Sequence, residues 1–193
     1  MVKDNPLKGL ILLDRDGVLN AMVVDPEHGT IDSPLHPSQV SVYVWVPEIL
    51  ARLVGVGWGL AIVTNQPAAA KGKTTQENLY DVHRAVVTAC ESRGARILSS
   101  HLCFHREEDG CSCRKPKPGL LREAVDLNRT HAQVGVWMVG DGVTDVQAGT
   151  ALGARTAFLG PRKCDACKIF QDYGLKPDFW GSSLVEFAQF LVV

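Results

Sequence analysis

Gly9-Leu10-Ile11-Leu12-Leu13-Asp14-Arg15-Asp16-Gly17-Val18-Leu19-Asn20 is the stretch whose reading decides the fold. The unbroken aliphatic run from Leu10 to Leu13 describes a strand buried on both faces, of the kind found in parallel sheets covered by helices. It ends abruptly in two carboxylates with a glycine behind them. In open α/β sheets ligands bind outside the carboxyl ends of the strands, so Asp14 and Asp16 are delivered where chemistry is usually done. Residues two apart on an extended chain point the same way, and two acids that close repel unless a cation or a shared proton relieves them. A hard divalent cation with oxygen ligands, Mg2+, is the natural occupant. An acidic surface turn would look similar in isolation, and the neighbouring stretches weigh against it.

Other apolar runs end in a comparable way. Leu60–Val63 stops at Thr64-Asn65-Gln66-Pro67, whose hydroxyl and two amides offer neutral donors to phosphate oxygens without adding charge. Val134–Val139 runs into Gly140-Asp141-Gly142-Val143-Thr144-Asp145. There Asp141 can complete the Mg2+ site with Asp14 and a backbone oxygen of Asp16, while Asp145 lies far enough on to cap or orient the next helix. Ile97–Phe104 is a third strand, less uniform and so nearer an edge, and Ala154–Leu159 is a fifth. Helical spacing is found over Pro47–Val56, after Thr74 or Thr75 (Leu79, Val82, Ala85, Val86, Ala89), over Leu120–Leu127, and at Leu184, Phe187, Ala188 and Leu191. Within the second of these, His83 and Cys90 read as packing or surface residues.

Strands alternating with helices predict an α/β fold: a single doubly wound parallel sheet of five strands, one domain over residues 1–193, with Phe179 and Trp180 helping to close it. The proline-rich stretch between Asn20 and Pro47, with Val40–Trp45 extended inside it, reads as a loop crossing the site. Gly55-x-Gly57-x-Gly59 is not a dinucleotide fingerprint, because it follows a helix and precedes a strand.

Cys103, His105, Cys111 and Cys113 place three thiols and an imidazole within one short loop, the composition of a closed tetrahedral zinc site that is structural rather than catalytic. Unlinked buried cysteines would have no reason to gather in a charged, glycine-bearing loop. Cys164 and Cys167 have metal or redox spacing, yet no second ligand pair follows them. Directly after the zinc loop, Arg114-Lys115-Pro116-Lys117-Pro118 brings three cations to an anion on a backbone stiffened by two prolines.

Taken in order, these stretches resemble the four motifs of the haloacid dehalogenase superfamily of phosphatases, in the zinc-containing branch of histidinol-phosphate and heptose-bisphosphate phosphatases. Asp-x-Asp-Gly-Val, Thr-Asn-Gln, Cys-Arg-Lys-Pro-x-Pro-Gly and the Gly-Asp at residues 140–141 carry the likeness, which covers roughly residues 9–159. The resemblance implies a Rossmann-like fold without a separate cap domain, with the proline-rich loop and the zinc loop (103–113) shaping the pocket mouth. It implies that Asp14 attacks phosphorus and that Asp16 is the general acid and base. Thr64 and Lys115 would contact the transferring phosphate, and Arg114, with Asn65 and Gln66, the substrate. The catalytic Mg2+ would be held by Asp14, Asp16 and Asp141, and Zn2+ by Cys103, His105, Cys111 and Cys113. The substrate implied is a small phosphorylated sugar or amino alcohol: first a D-glycero-D-manno-heptose 1,7-bisphosphate losing its 7-phosphate, second histidinol phosphate. One departure stands out, since heptose phosphatases usually carry a lysine after the fourth-motif Asp, where this chain has Gly142. A DNA 3'-phosphatase and an inactive zinc-ordered binding module are the competing readings.

Composition fits small partners. The 193 residues, 46% hydrophobic, suffice for one well-buried domain, and a net charge of −1 without any Lys/Arg-rich run argues against a duplex nucleic-acid surface. No apolar run reaches bilayer length and Met1–Pro6 lacks the hydrophobic segment of a signal peptide, so a cytoplasmic monomer with no membrane and no nucleic-acid partner is expected. In that compartment the six cysteines are thiols or metal ligands.

Overall fold

The computed structural model describes residues 7–25, 29–128, 135–161 and 164–192. In chain order the elements are β1 (Gly9–Leu13), β2 (Val23–Asp25), β3 (Thr30–Asp32), α1 (Val46–Gly55), β4 (Trp58–Asn65), α2 (Gln76–Cys90) and β5 (Ile97–Cys103). They continue with α3 (Gly119–Leu127), β6 (Val136–Gly140), α4 (Val143–Leu152), β7 (Arg155–Leu159), α5 (Cys164–Asp172), β8 (Phe179–Gly181) and α6 (Leu184–Val192).

Six strands form one parallel sheet in the order β5-β4-β1-β6-β7-β8. From β1 the chain builds outward through β4 to β5, then returns to the other side of β1 for β6, β7 and β8. The strand order therefore reverses at β1, and a crevice opens at its carboxyl end between β4 and β6, which is where such sheets bind ligands.

Every residue of β1 is buried, as its aliphatic run requires. Because side chains alternate across a strand, odd and even positions enter different layers. Ile11, Leu13, Leu60, Ile62, Trp137 and Val139 pack with Leu50 and Leu53 of α1, Val86 of α2 and Phe187 of α6. Leu10, Leu12, Ala61, Val63 and Met138 pack instead with Leu120, Leu121 and Ala124 of α3 and Ala148 of α4. Thr75 caps α2 by accepting the Asn78 N–H at 3.1 Å, and β5 lies at the sheet edge.

The sheet has one strand more than the sequence pattern indicates. Residues 179–181 form β8 against β7, a segment too short to display any periodicity and held by aromatic packing of Trp180 on Phe158 and Phe170. The stretch before α1 also differs. It contains the β2–β3 hairpin and a 3-10 turn at Pro37–Gln39, while within 40–45 only Val42 pairs, through an isolated bridge to Asn20. Leu127, expected on the apolar face of α3, is 66% exposed at the end of that helix. Val134 and the side chain of Cys164 lie outside the described residues. Among the described residues no helix is long and apolar enough to cross a membrane.

Candidate active site

The crevice holds a cavity of about 230 Å³ lined by Asp14, Asp16, Thr64, Asn65, Lys115, Asp141 and Asp145, among others. The side chains named come from three adjacent strand ends, the first turn of α4 and one distant loop. Asp14 follows β1, and its backbone N–H donates to Val139 O at 2.9 Å, extending the β1–β6 ladder by one residue. Thr64 and Asn65 close β4, and Asp141 follows β6.

Lys115 is brought from the segment after β5. Asn65 fixes it there by donating Nδ2 to Lys115 O at 3.0 Å and accepting the Lys115 N–H at 3.1 Å. The buried Lys115 ammonium then donates to Val63 O at 2.9 Å and lies 2.9 Å from Asp14 Oδ1 and 2.6 Å from Asp145 Oδ1. Burial works to lower the Lys115 pKa, but the Asp14 and Asp145 carboxylates outweigh it and hold the ammonium above the ordinary lysine value.

The carboxylates feel the opposite pull. Burial, with the charges of Asp145 and Asp141 adding and Lys115 opposing, pushes Asp14 up to about 7. Partial desolvation and the Asp145 charge push Asp141 up to about 6, although its carboxylate opens toward solvent. Asp14, Asp141 and Asp145 each bring an oxygen within 4.8 Å of the others. Three carboxylates facing one ammonium leave a net negative site of hard oxygens, the donor set that suits Mg2+. Gly17 makes room for it: its φ is +86°, and a Cβ there would stand 2.0 Å from Asp141 Oδ2.

Asp16 borders the same cavity, and both its carboxylate oxygens are held by neighbouring donors. Oδ1 accepts from Arg15 Nε at 3.1 Å and Asn20 Nδ2 at 2.9 Å, and Oδ2 accepts from Arg15 Nη2 at 2.9 Å and Gln66 Nε2 at 2.6 Å. Gln66 also donates to Thr64 Oγ1 at 2.9 Å. Thr64 therefore lines the cavity as expected. Gln66 is fully buried behind it and reaches Asp16 and Thr64, while the Asn65 amide is spent on the Lys115 backbone.

Residues that sequence reasoning passed over are Arg15 and Asn20, whose partners are the neighbouring acid, and Asp145, read there as a helix cap. Asp145 does accept the Gly142 N–H at 2.9 Å, but it also grips Lys115. Arg15 carries a signal: two positions past a buried strand and out of phase with Asp14 and Asp16, a cation there must find a buried counter-charge.

Arg114 borders a second cavity of about 430 Å³, which shares Lys115 and Thr144 with the first. Arg106, Arg114, Lys115 and Lys117 outnumber Glu107 in its lining and leave it basic, with Arg106 itself paired to Glu108 and Asp109. Its rim is the loop of Cys103, His105, Cys111 and Cys113, whose donor atoms converge. The sulfur–sulfur distances are 3.3, 3.4 and 3.8 Å, and His105 Nδ1 lies 3.3 Å from Cys113 Sγ and 3.6 Å from Cys103 Sγ. Zn–S bonds of about 2.3 Å and Zn–N bonds of about 2.0 Å give a tetrahedron with edges of about 3.5–3.8 Å, so the four residues fit zinc. The spacing is too long for a disulfide. The loop packs down on its own continuation, where a Cβ at Gly119 would meet Ser112 O at 2.3 Å.

Comparison with known proteins agrees with this geometry. The HAD-hydrolase-like family profile matches residues 112–186. The D-glycero-beta-D-manno-heptose-1,7-bisphosphate 7-phosphatase of Pseudomonas putida is 34% identical over 156 residues, spanning 78% of this chain and 81% of the relative. The protein of the same name from Pseudomonas aeruginosa is 33% identical over 160 residues, spanning 79% and 81%. Among solved structures, the D,D-heptose 1,7-bisphosphate phosphatase of Bordetella bronchiseptica, complexed with magnesium and phosphate, superposes with a TM-score of 0.77 at 28% identity. That match covers 95% of this chain and 98% of the other.

Proposed function

This chain belongs to the HAD-like hydrolase family, among its heptose bisphosphate phosphatases, and from that premise we propose that it removes the 7-phosphate of D-glycero-D-manno-heptose 1,7-bisphosphate with Mg2+ as cofactor. The observation that carries the reading is the meeting of Asp14 and Lys115, 2.9 Å apart, at the junction of an acidic cavity and a basic one. A bisphosphate needs both. The phosphoryl group that reacts sits against Asp14, and the one that stays is read by guanidinium and ammonium groups at Arg114, Arg106 and Lys117.

Asp14 attacks phosphorus in line and takes the phosphoryl group as an aspartyl phosphate. Asp16 protonates the departing alkoxide, then takes the proton of the water that hydrolyses the intermediate. Lys115 and the Thr64 hydroxyl meet charge on the equatorial oxygens, the main work of catalysis in phosphoryl transfer. Asp14 and Asp141, with Asp16 contributing its backbone oxygen, would hold Mg2+, which supplies positive charge to the same oxygens when bound. Cys103, His105, Cys111 and Cys113 would hold Zn2+, which when bound would order the rim that carries Arg114.

The test is phosphate release from heptose 1,7-bisphosphate, histidinol phosphate and a 3'-phosphorylated oligonucleotide, with and without Mg2+. One phosphate per heptose bisphosphate, dependent on Mg2+ and lost in Asp14→Asn, is the expected result. Preference for histidinol phosphate or the oligonucleotide would overturn the substrate, and wild-type turnover by Asp14→Asn would overturn the chemistry.

A further inference from the structure

We infer that Arg15 is a positioning residue: with Asn20 and Gln66 it forms a clamp that aims the Asp16 carboxylate at the leaving oxygen. The inference rests on the proton-transfer role proposed for Asp16 and adds what holds that residue in place.

The clamp is a complete set of donors. A carboxylate offers about four lone-pair sites, two on each oxygen, and here each oxygen accepts two N–H groups. The donors come from three separate places: the residue before Asp16, the turn after it, and the end of β4. Arg15 is the part that cannot yield. Its side chain is 0% exposed, and it meets Asp16 through two charge-assisted bonds from a planar fork. A bare guanidinium in this interior would be costly, so Arg15 and Asp16 fix each other.

To act as an acid Asp16 must carry on one oxygen the proton it took from water in the preceding turnover, and that O–H takes the place of one of the four accepted bonds and donates to the substrate's oxygen. Exchange is least costly at Asn20 or Gln66, each a neutral single donor, while the Arg15 fork keeps the carboxylate plane fixed. Misplacement of a catalytic group by about 1 Å can cost about 10²-fold in rate. The group misplaced here matters only when a proton must reach the leaving oxygen. A sugar alkoxide must be protonated as it departs, whereas p-nitrophenolate leaves as a stable anion.

The experiment compares kcat/KM for heptose 1,7-bisphosphate and p-nitrophenyl phosphate in the wild type, Asp16→Asn, Arg15→Lys and Asn20→Leu, because kcat/KM reports steps up to release of the first alcohol. Arg15→Lys keeps the charge and loses the fork, and Asn20→Leu removes one donor with little change of shape and touches no other catalytic group. Thermal midpoints identify any variant that fails to fold, in which case the other carries the test. The expected result is a loss on the sugar phosphate of about 10- to 100-fold in Arg15→Lys, smaller in Asn20→Leu, with p-nitrophenyl phosphate changed by less than about threefold. Equal losses on both substrates, or none, in folded clamp variants would overturn the clamp. If Asp16→Asn itself fails to discriminate between the substrates, the role assigned to Asp16 falls instead.

Discussion

The Asp145 carboxylate sits 2.6 Å from the Lys115 ammonium, and both side chains are about 2% exposed. Lys115 is thereby divided between Asp145 and Asp14, which lies 2.9 Å away on its other side. The division has a chemical consequence. An ammonium wholly committed to Asp14 would tie up the oxygen that must attack phosphorus, whereas one held from behind by Asp145 stays between nucleophile and phosphate. Asp145→Asn removes the rear charge and leaves Asp14 as the one carboxylate paired to Lys115. Turnover at saturating substrate is expected to fall about 10²-fold or more, the scale of losing one preorganised electrostatic contact. A kcat within twofold of wild type would show that Asp145 serves the helix start alone.

His83 gives a pH-dependence of stability rather than of activity. It lies on α2, 7% exposed, and neither ring nitrogen has a hydrogen-bond partner among the described residues. Burial, reinforced by the Arg15 charge and only partly opposed by Asp16, lowers its pKa from 6.5 to about 4. Between those values the unfolded chain binds a proton that the folded chain refuses. The contribution is therefore complete above pH 6.5 and is lost progressively as pH falls toward 4, amounting to about 3 kcal/mol over the window. His83→Phe should flatten that part of the stability curve measured by urea unfolding between pH 4 and 7. An unchanged slope would place the titration elsewhere.

How far the sequence went, and where it stopped, follows from the range of each signal. β1, β4 and β6 were legible because a strand buried on both faces must be continuously apolar, and the polar residue ending each run falls at the crevice. The Cys103-to-Cys113 loop was legible because metal ligands of one loop lie close in sequence. β8 was not, since three residues carry no period and Phe179–Trp180 serves a core as well as a strand. The place of Gln66 beside Thr64 suggests a substrate contact, but its amide turns inward to Asp16, a partner fifty positions away. The second role of Asp145 is hidden for the same reason: a cap is a local interaction, and its partner Lys115 stands about thirty positions away.

Gly17 tests whether the acidic pocket depends on backbone shape. Its φ of +86° is a conformation that any side chain disfavours, and its missing Cβ is the space occupied by the Asp141 carboxylate. Gly17→Ala is expected to cost about 1–2 kcal/mol for the backbone alone, lowering the melting midpoint by a few degrees. The larger effect falls on Asp141, which must move. Mg2+ affinity measured by titration calorimetry should drop tenfold or more. Retained affinity would mean that Asp141 can relocate without leaving the ion, or takes no part in holding it.

Zinc removal separates the two neighbours Arg114 and Lys115. Cys113 immediately precedes them, so both follow directly on the metal loop, yet their anchors differ. The Lys115 backbone is held by two hydrogen bonds to Asn65 on β4, independent of any thiol. Arg114 instead donates its backbone N–H to Cys111 Sγ and its guanidinium to His105 O, both within the loop. Lys117 likewise donates to Gly110 O and Cys111 O. Stripping the metal with a chelator, or Cys111→Ser, should therefore release the basic rim while leaving the Lys115–Asp14 pair in place. Trypsin should cut at Arg106 in the chelated protein while the sheet stays folded by circular dichroism. With heptose bisphosphate KM should rise about tenfold and kcat fall much less, since the lost contacts bind the phosphate that stays. A kcat that collapses at unchanged KM would mean that the metal loop, rather than Asn65, sets the position of Lys115.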